Sequence, residues 1–180
     1  MKISLSTIKF LVRSHTREIK FFLLFIVFFF ACNTTYYVFR DRVKPLVVDT
    51  LHVAVGSKII NILTPEEKTY VEKDTIRSSV VTLTIERGCE GVEGFLLIAA
   101  AICAFYAGIR QKIIGIILGF IIMYSANLTR IIGIYYTLKY KPALFDVMHV
   151  YVGQTYVIFI GLIFFIVWTV TLTQPHEKTN

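Results

Sequence analysis

Residues 113–138, IIGIILGFIIMYSANLTRIIGIYYTL, form an apolar stretch longer than the roughly 20 residues that a helix needs to cross a bilayer. An amide and a charged side chain, Asn127 and Arg130, interrupt it toward its C-terminal end. Residues three positions apart share one face of a helix. A polar face within a membrane span is expected to point into a helix bundle rather than toward lipid. The segment therefore predicts a membrane bundle that contains a polar site.

Three further apolar runs complete the predicted bundle, at residues 21–39, 92–108 and 150–172. Apolar residues make up 56% of the 180-residue chain, and the mean hydropathy is +0.67. Both values exceed what a water-soluble core requires. We therefore predict an all-α integral membrane protein, a single domain (1–180) with about four transmembrane helices.

The basic residues indicate how the chain is oriented. The net charge is +7, and the Lys and Arg residues lie mainly in tails and connections beside the apolar runs. This placement predicts membrane lipids as partners and no nucleic acid. The basic tail of residues 1–20 is predicted to be cytoplasmic. Residues 40–91 then form an extracytoplasmic loop, and residues 173–180 form a second cytoplasmic tail.

The predicted extracytoplasmic loop begins with a helix. Apolar residues recur at steps of three and four over residues 46–63, which predicts an amphipathic helix. Such a helix is expected to lie on the outer membrane interface. His52 falls outside the apolar positions, so we expect its side chain to be solvated.

A short β-hairpin is predicted in the second half of this loop. Its strands are expected at residues 69–71 and 79–85, where β-branched side chains are frequent. The alternation places Leu83 and Ile85 on one face of the second strand. This strand leads the chain to Cys89 at the start of the second apolar run.

Three polar residues lie at the ends of separate apolar runs. Cys89 precedes the second run and His149 precedes the fourth. Arg130 lies about 25 Å along the third helix, at 1.5 Å per residue. Because successive spans alternate in direction, all three residues are expected at one level of the membrane.

A thiol, a guanidinium and an imidazole at one level suit nucleophilic catalysis at a carbonyl carbon. Cys89 is the predicted nucleophile, His149 the general acid or base, and Arg130 the group that stabilises the oxyanion. A helix N-terminus and the nearby Arg87 and Arg130 are expected to lower the pKa of the Cys89 thiol.

Supporting roles are predicted for three neighbours. Asn127 is expected to hold Arg130 in place, whereas Glu90 and Glu93 either orient His149 or repel the thiolate. The three cysteines of the chain show no metal-ligand or disulfide spacing. We therefore predict no metal and no cofactor.

Three motifs, GCEGVE at residues 88–93, NLTR at 127–130 and ALFDVMH at 143–149, resemble those of the exosortase and archaeosortase family. The resemblance is closest to short members such as exosortase H and covers residues 80–168. It implies a multi-span inner-membrane cysteine enzyme. The implied substrates are proteins with a C-terminal sorting signal, composed of a short motif, a transmembrane helix and a basic tail.

Carried over by position, the resemblance makes Cys89 the nucleophile, Arg130 the transition-state stabiliser and His149 the acid or base. Glu90 departs from the family pattern, which more usually has a small or neutral polar residue after the cysteine. Thiol activation or substrate preference is therefore expected to differ in this chain.

The predicted function is that of a cysteine-dependent sorting transpeptidase, with its catalytic region in residues 92–172. It would act at the outer face of the cytoplasmic (inner) membrane. One alternative is an intramembrane cysteine protease that uses water as the acceptor; another is a non-enzymatic membrane scaffold or transporter subunit. A face of small residues is expected to receive the substrate helix: Gly115, Gly119, Ala126 and Gly133.

Overall fold

One unbroken helical segment, Thr16–Leu63, opens the part of the chain that the computed structural model describes, residues 16–172. The segment comprises α1 (Thr16–Lys44), a π-helical stretch (Pro45–Ala54) and α2 (Val55–Leu63). The predicted span at 21–39 lies within α1, and residues 46–63 are helical as predicted. The two are continuous because Pro45 stands at the first position of the π-helical stretch, where the change in hydrogen-bond pattern tolerates its missing N–H.

The prediction that His52 is solvated is wrong. Its side chain is buried, its Nδ1 lies 2.6 Å from the Val47 carbonyl oxygen, and its ring meets the Tyr124 ring edge-on. Hydrogen bonds in a π-helix span five residues instead of four. Side chains therefore return to one face at a longer spacing than the α-helical pattern assumes, and this brings His52 and Gly56 onto the buried face.

A three-stranded antiparallel sheet follows, with strands in chain order: β1 (Tyr70–Glu72), β2 (Thr75–Arg77) and β3 (Thr82–Thr84). The predicted hairpin is thus one strand short. β2 was missed because three residues are too few to show an alternating pattern. The predicted alternation around β3 is confirmed, since Leu83 and Ile85 are buried while Thr82 and Thr84 are exposed.

The remaining helices are α3 (Val92–Ala104), α4 (Ile109–Tyr140) and α5 (Gly153–Leu172), with a π-helical turn (Val147–Val152) before α5. In the described part, three segments are long and apolar enough to cross a membrane: Thr16–Leu63, Ile109–Tyr140 and Val147–Thr171. α3 has 13 residues, about 20 Å, because the chain becomes extended at Phe105. The all-α membrane fold is confirmed, with a shorter second apolar helix than predicted.

α4 joins the bundle to the sheet. Its 32 residues span about 48 Å, which exceeds a hydrocarbon core of about 30 Å. Its last turns contribute to the apolar core beneath the sheet, together with residues of α2 and the π-helical stretch. Glu67 accepts a hydrogen bond from Tyr135 and forms an ion pair with Lys139, both on α4. These contacts fix the turn before the sheet relative to the helix that carries Arg130.

The small residues on α4 serve mostly internal packing. Gly115 lies against the Trp168 ring and Gly119 against the Phe164 ring, both on α5, and Ala126 is buried. A side chain at either glycine would collide with α5. The expectation that these residues form a docking face for a substrate helix is therefore wrong for the packed positions, and only Gly133 faces open space.

Candidate active site

Cys89, Arg130 and His149 meet at one place. The Cys89 Sγ lies 2.8 Å from the His149 Nε2, within hydrogen-bond distance. One Arg130 guanidinium nitrogen, Nη2, lies 4.0 Å from the Cys89 Sγ and donates a 3.2 Å hydrogen bond to the His149 carbonyl oxygen. The structure thus brings together the three residues that the spacing of the apolar runs placed at one level.

Two glycines and one amide position Cys89. Gly88 and Gly91 have φ values of 85° and 71°, a region that favours glycine. Between them, the Cys89 N–H donates to the Glu86 carbonyl and closes the turn. The fully buried Asn127 donates from Nδ2 to the Cys89 carbonyl oxygen at 3.1 Å. The prediction that Asn127 holds Arg130 is therefore wrong, because its hydrogen bond goes to the backbone of Cys89.

A stacked aromatic ring orients His149. The Phe145 and His149 rings are nearly parallel, with an interplanar angle of 8° and centroids 5.2 Å apart. His149 lies in the π-helical turn before α5, and Phe145 lies one turn earlier. Phe145 belongs to the ALFDVMH motif, but sequence reasoning gave it no role because a lone phenylalanine in an apolar region carries no functional signal.

Arg130 is buried at the interface of α4 and α5. Gly153 makes room for it, since a Cβ there would lie 2.8 Å from the Arg130 Nε. Close packing holds the guanidinium at the level of the thiol instead of letting it extend to the membrane surface. A buried arginine held this way can stabilise negative charge that develops beside it.

The predicted lowering of the Cys89 pKa is wrong. Burial of the thiol raises its pKa, and Arg130 opposes this effect without overcoming it. Arg87 does not contact the site: its side chain is exposed, and its guanidinium lies 5.6 Å from the centre of the Tyr37 ring. A thiol with a raised pKa needs a base to ionise at neutral pH, and His149 is in position to be that base.

A cavity of about 400 Å³ opens onto Cys89 and His149, within the range of roughly 300–1,000 Å³ typical of ligand pockets. Its lining comes from β3 and the turn after it, from α4, and from the segment around His149. Most lining side chains on α4 are apolar, namely Ile131, Ile134 and Leu138. Glu86 also lines the cavity, and sequence reasoning missed it because it lies in an unremarkable polar stretch.

The chain was compared with protein-family models, and residues 6–169 match that of the transmembrane exosortase (EpsH). The chain belongs to the transmembrane exosortase family. The resemblance inferred from the three motifs is thereby confirmed. Exosortases are membrane-embedded sorting enzymes that act on proteins with sorting signals. Comparisons with curated proteins and with solved structures gave no match.

The two glutamates near Cys89 of this exosortase bind the first helix. Glu90 is buried, forms an ion pair with Arg40 and accepts a hydrogen bond from Tyr36. Glu93 accepts a 2.5 Å hydrogen bond from Tyr37. Neither carboxylate orients His149. The charge of Glu90 does contribute to raising the pKa of the Cys89 thiol, which supports the repulsion alternative for that residue.

Substituting Glu90 with glutamine is expected to destabilise the protein by about 3 kcal/mol, because removing one partner of a buried ion pair leaves the other charge uncompensated. The measurement is thermal unfolding in detergent. Glu93→Gln serves as the matched control. In a double-mutant cycle, Arg40→Met should recover part of the loss in the Glu90→Gln background. Strictly additive losses would show that the ion pair contributes nothing.

Substituting Arg130 with lysine is expected to lower the processing rate about 100-fold, because an ammonium cannot reach the thiol and also keep the hydrogen bond to the His149 carbonyl. The measurement is the initial rate on a sorting-signal substrate at matched membrane abundance. Arg87→Lys provides a control two residues from Cys89. Equal rates for the two variants would leave Arg130 with a packing role alone.

No group of three His, Cys, Asp or Glu side chains within residues 16–172 is arranged to hold a metal ion.

Proposed function

We propose that this exosortase is a cysteine-dependent transpeptidase that cleaves a C-terminal sorting signal made of a short motif, a transmembrane helix and a basic tail. The observation that carries the proposal is the 2.8 Å contact between the Cys89 Sγ and the His149 Nε2 at the cavity. A paired thiol and imidazole is the arrangement that activates a cysteine for acyl transfer. Arg130, whose Nη2 lies 4.0 Å from the sulfur, supplies the third group, a guanidinium that stabilises the oxyanion.

The first chemical step uses all three residues. His149 Nε2 accepts the thiol proton as the Cys89 sulfur attacks the scissile carbonyl carbon. The carbonyl oxygen becomes an oxyanion, which the Arg130 guanidinium stabilises. The C–N bond then breaks, His149 returns the proton to the leaving amine, and the N-terminal part of the substrate stays bound to Cys89 as a thioester.

The second step regenerates the enzyme. An incoming amine or other nucleophile attacks the thioester carbonyl, and His149 accepts its proton. The Cys89 sulfur leaves and recovers a proton. Transfer to such an acceptor is the proposed outcome, and hydrolysis by water is the outcome of the protease alternative.

The proposed location is the outer face of the cytoplasmic membrane. The basic residues Arg17 and Lys20 of α1 lie beside Lys112 of α4 around one cavity. The candidate active site lies toward the other ends of these helices. The positive-inside rule then assigns the basic end to the cytoplasm and Cys89 to the exterior or periplasm. Residues 92–172 supply Arg130 and His149 to the proposed catalytic region, and Cys89 lies in the turn just before them.

A reporter with a candidate sorting signal from the same genome tests the proposal. It is produced in membranes with or without this exosortase, and hydroxylamine is added as a small nucleophile. A thioester intermediate is expected to give an N-terminal fragment that ends in a hydroxamate. Without hydroxylamine, the C-terminal mass distinguishes transfer from hydrolysis. A free carboxylate alone would favour the protease alternative.

The scaffold or transporter alternative predicts a different result. A non-enzymatic membrane protein would leave the reporter at its full length under all of these conditions. It would also need no thiol beside an imidazole. An intact reporter in the presence of an abundant exosortase would contradict the proposed function for that signal.

A further inference from the structure

β3 is an edge strand, paired with β2 on one side only. At the end of this pairing, the Ile85 N–H donates to the Asp74 carbonyl oxygen at 2.8 Å. Successive residues in an antiparallel ladder direct both backbone groups to alternate sides. Thr84 and Thr82 therefore direct their N–H and C=O groups away from β2, toward the free edge.

The free edge borders the candidate active site. Residues 82–86 line the 400 Å³ cavity without a gap, and Cys89 and His149 line the same cavity. Ligand pockets in proteins are usually lined mainly by side chains. This cavity is also bordered by the unpaired edge of β3, whose N–H and C=O groups require partners when a ligand displaces water.

We propose that the sorting motif of the substrate binds in this cavity as an added β-strand, parallel to β3, with its scissile carbonyl at Cys89. The proposal rests on the proposed function and specifies how the same site recognises its substrate. Backbone hydrogen bonds to Thr82 and Thr84 hold the motif, as in other cases where a peptide extends a sheet. One motif residue donates its N–H to the Thr82 carbonyl and accepts from the Thr84 N–H.

The direction of the added strand follows from chain connectivity. β3 runs toward Cys89 and continues into α3, which is apolar and belongs to the bundle. A sorting motif precedes its own transmembrane helix. A substrate parallel to β3 therefore passes Cys89 and then enters the bilayer beside α3, whereas an antiparallel one would carry its helix away from the membrane.

The cavity lining also indicates which side chains of the motif the site would recognise. Side chains of an extended strand alternate between two faces. Leu83 and Ile85 point into the core that α4 shares with the sheet, while Thr82 and Thr84 are exposed. Motif residues aligned with Leu83 and Ile85 face the apolar residues of α4. The motif is therefore expected to carry small or apolar side chains at alternate positions.

A proline substitution tests the backbone hydrogen bond. Thr84→Pro removes the N–H on the cavity side and is expected to slow processing of the reporter about tenfold. Thr84→Val keeps the N–H and measures how much the Thr84 hydroxyl contributes to the processing rate. This hydroxyl lies 3.0 Å from that of Thr75. Val71→Pro is the matched control, because the same alternation directs its N–H to the far edge of the sheet. Its rate should equal that of the wild type.

Cross-linking gives a second test that does not depend on how the proline variant folds. A Thr84→Cys exosortase without Cys32, Cys89 and Cys103 is combined with reporters that carry one cysteine, moved stepwise along the motif. Disulfides are expected at every second reporter position, the period of a strand. Cross-links at steps of three or four, or none, would overturn the added strand.

The outcomes separate this inference from the proposed function. If processing needs Cys89 but Thr84→Pro and Val71→Pro are equally active, strand pairing is wrong and the transpeptidase proposal stands. If alternate positions cross-link but the wild-type exosortase never cleaves the reporter, the transpeptidase proposal is wrong and strand binding stands.

Discussion

Replacing Cys89 with alanine is expected to abolish processing of the reporter, with a loss of about 10⁴-fold or more. Alanine has no sulfur to form the thioester. In the described structure, the other two thiols cannot substitute, since Cys32 lies within α1 and Cys103 within α3, away from His149. The measurement is the fraction of reporter cleaved at matched membrane abundance, together with loss of the hydroxamate product.

The matched control for this prediction is Cys103→Ala, which removes a thiol of similar exposure from the same helical bundle. It should retain the wild-type rate. The turn should keep its geometry in the alanine variant, because Asn127 binds the backbone of residue 89 and not its side chain. Processing by Cys89→Ala at the wild-type rate would remove the thiol from the mechanism.

Replacing His149 with alanine is expected to lower the processing rate about 10³-fold, because the thiol loses its proton acceptor. Burial raises the pKa of the Cys89 thiol, so little thiolate exists at neutral pH without a base. The residual rate of the variant should therefore increase as the pH rises toward the pKa of the thiol. A pH profile of the initial rate measures this dependence.

Phe145→Leu is the graded comparison for His149→Ala. Leucine removes the ring that stacks on the imidazole but leaves the imidazole itself. We expect a smaller loss of rate and no change in the form of the pH profile, since a base is still present. A His149→Ala variant with the wild-type rate and pH profile would show that another group accepts the proton.

The convergence of Cys89, Arg130 and His149 was predictable from the spacing of apolar runs. Successive spans must reverse direction, so residues at the ends of the second and fourth runs return to the same side of the membrane. Helix rise then places Arg130 near them. This inference needs only the lengths of the runs, and it holds even though α3 proves shorter than its apolar stretch.

Partners of individual side chains were less predictable. Asn127 was expected to bind Arg130, one turn away on the same helix, but it binds the Cys89 carbonyl from another segment. One expected role of Glu90 was to orient His149, but its carboxylate is bound by Arg40 and Tyr36 of α1. In both cases the observed partner is a residue that only the packing of distant elements brings close.

The pKa of Cys89 depends on the same packing. Arg87 and the helix N-terminus suggested a lowered value, because charges near the thiol can be counted from the sequence. Burial cannot be counted in this way, and it dominates where Cys89 packs against the core beneath the sheet. Ionisation of the Cys89 thiol is therefore expected to depend on a base rather than on the surrounding charge.

The sequence alone determined the membrane class, the order of the helices and the level at which the three polar residues lie, because hydrophobic length and chain alternation are local properties. Only the tertiary structure revealed that the sheet has a third strand, that the face around His52 is buried and that a cavity lies beside β3. These features arise where segments distant in the chain meet. Their geometry depends on side-chain packing and on the longer hydrogen-bond step of a π-helix, and neither leaves a periodic signal in the sequence.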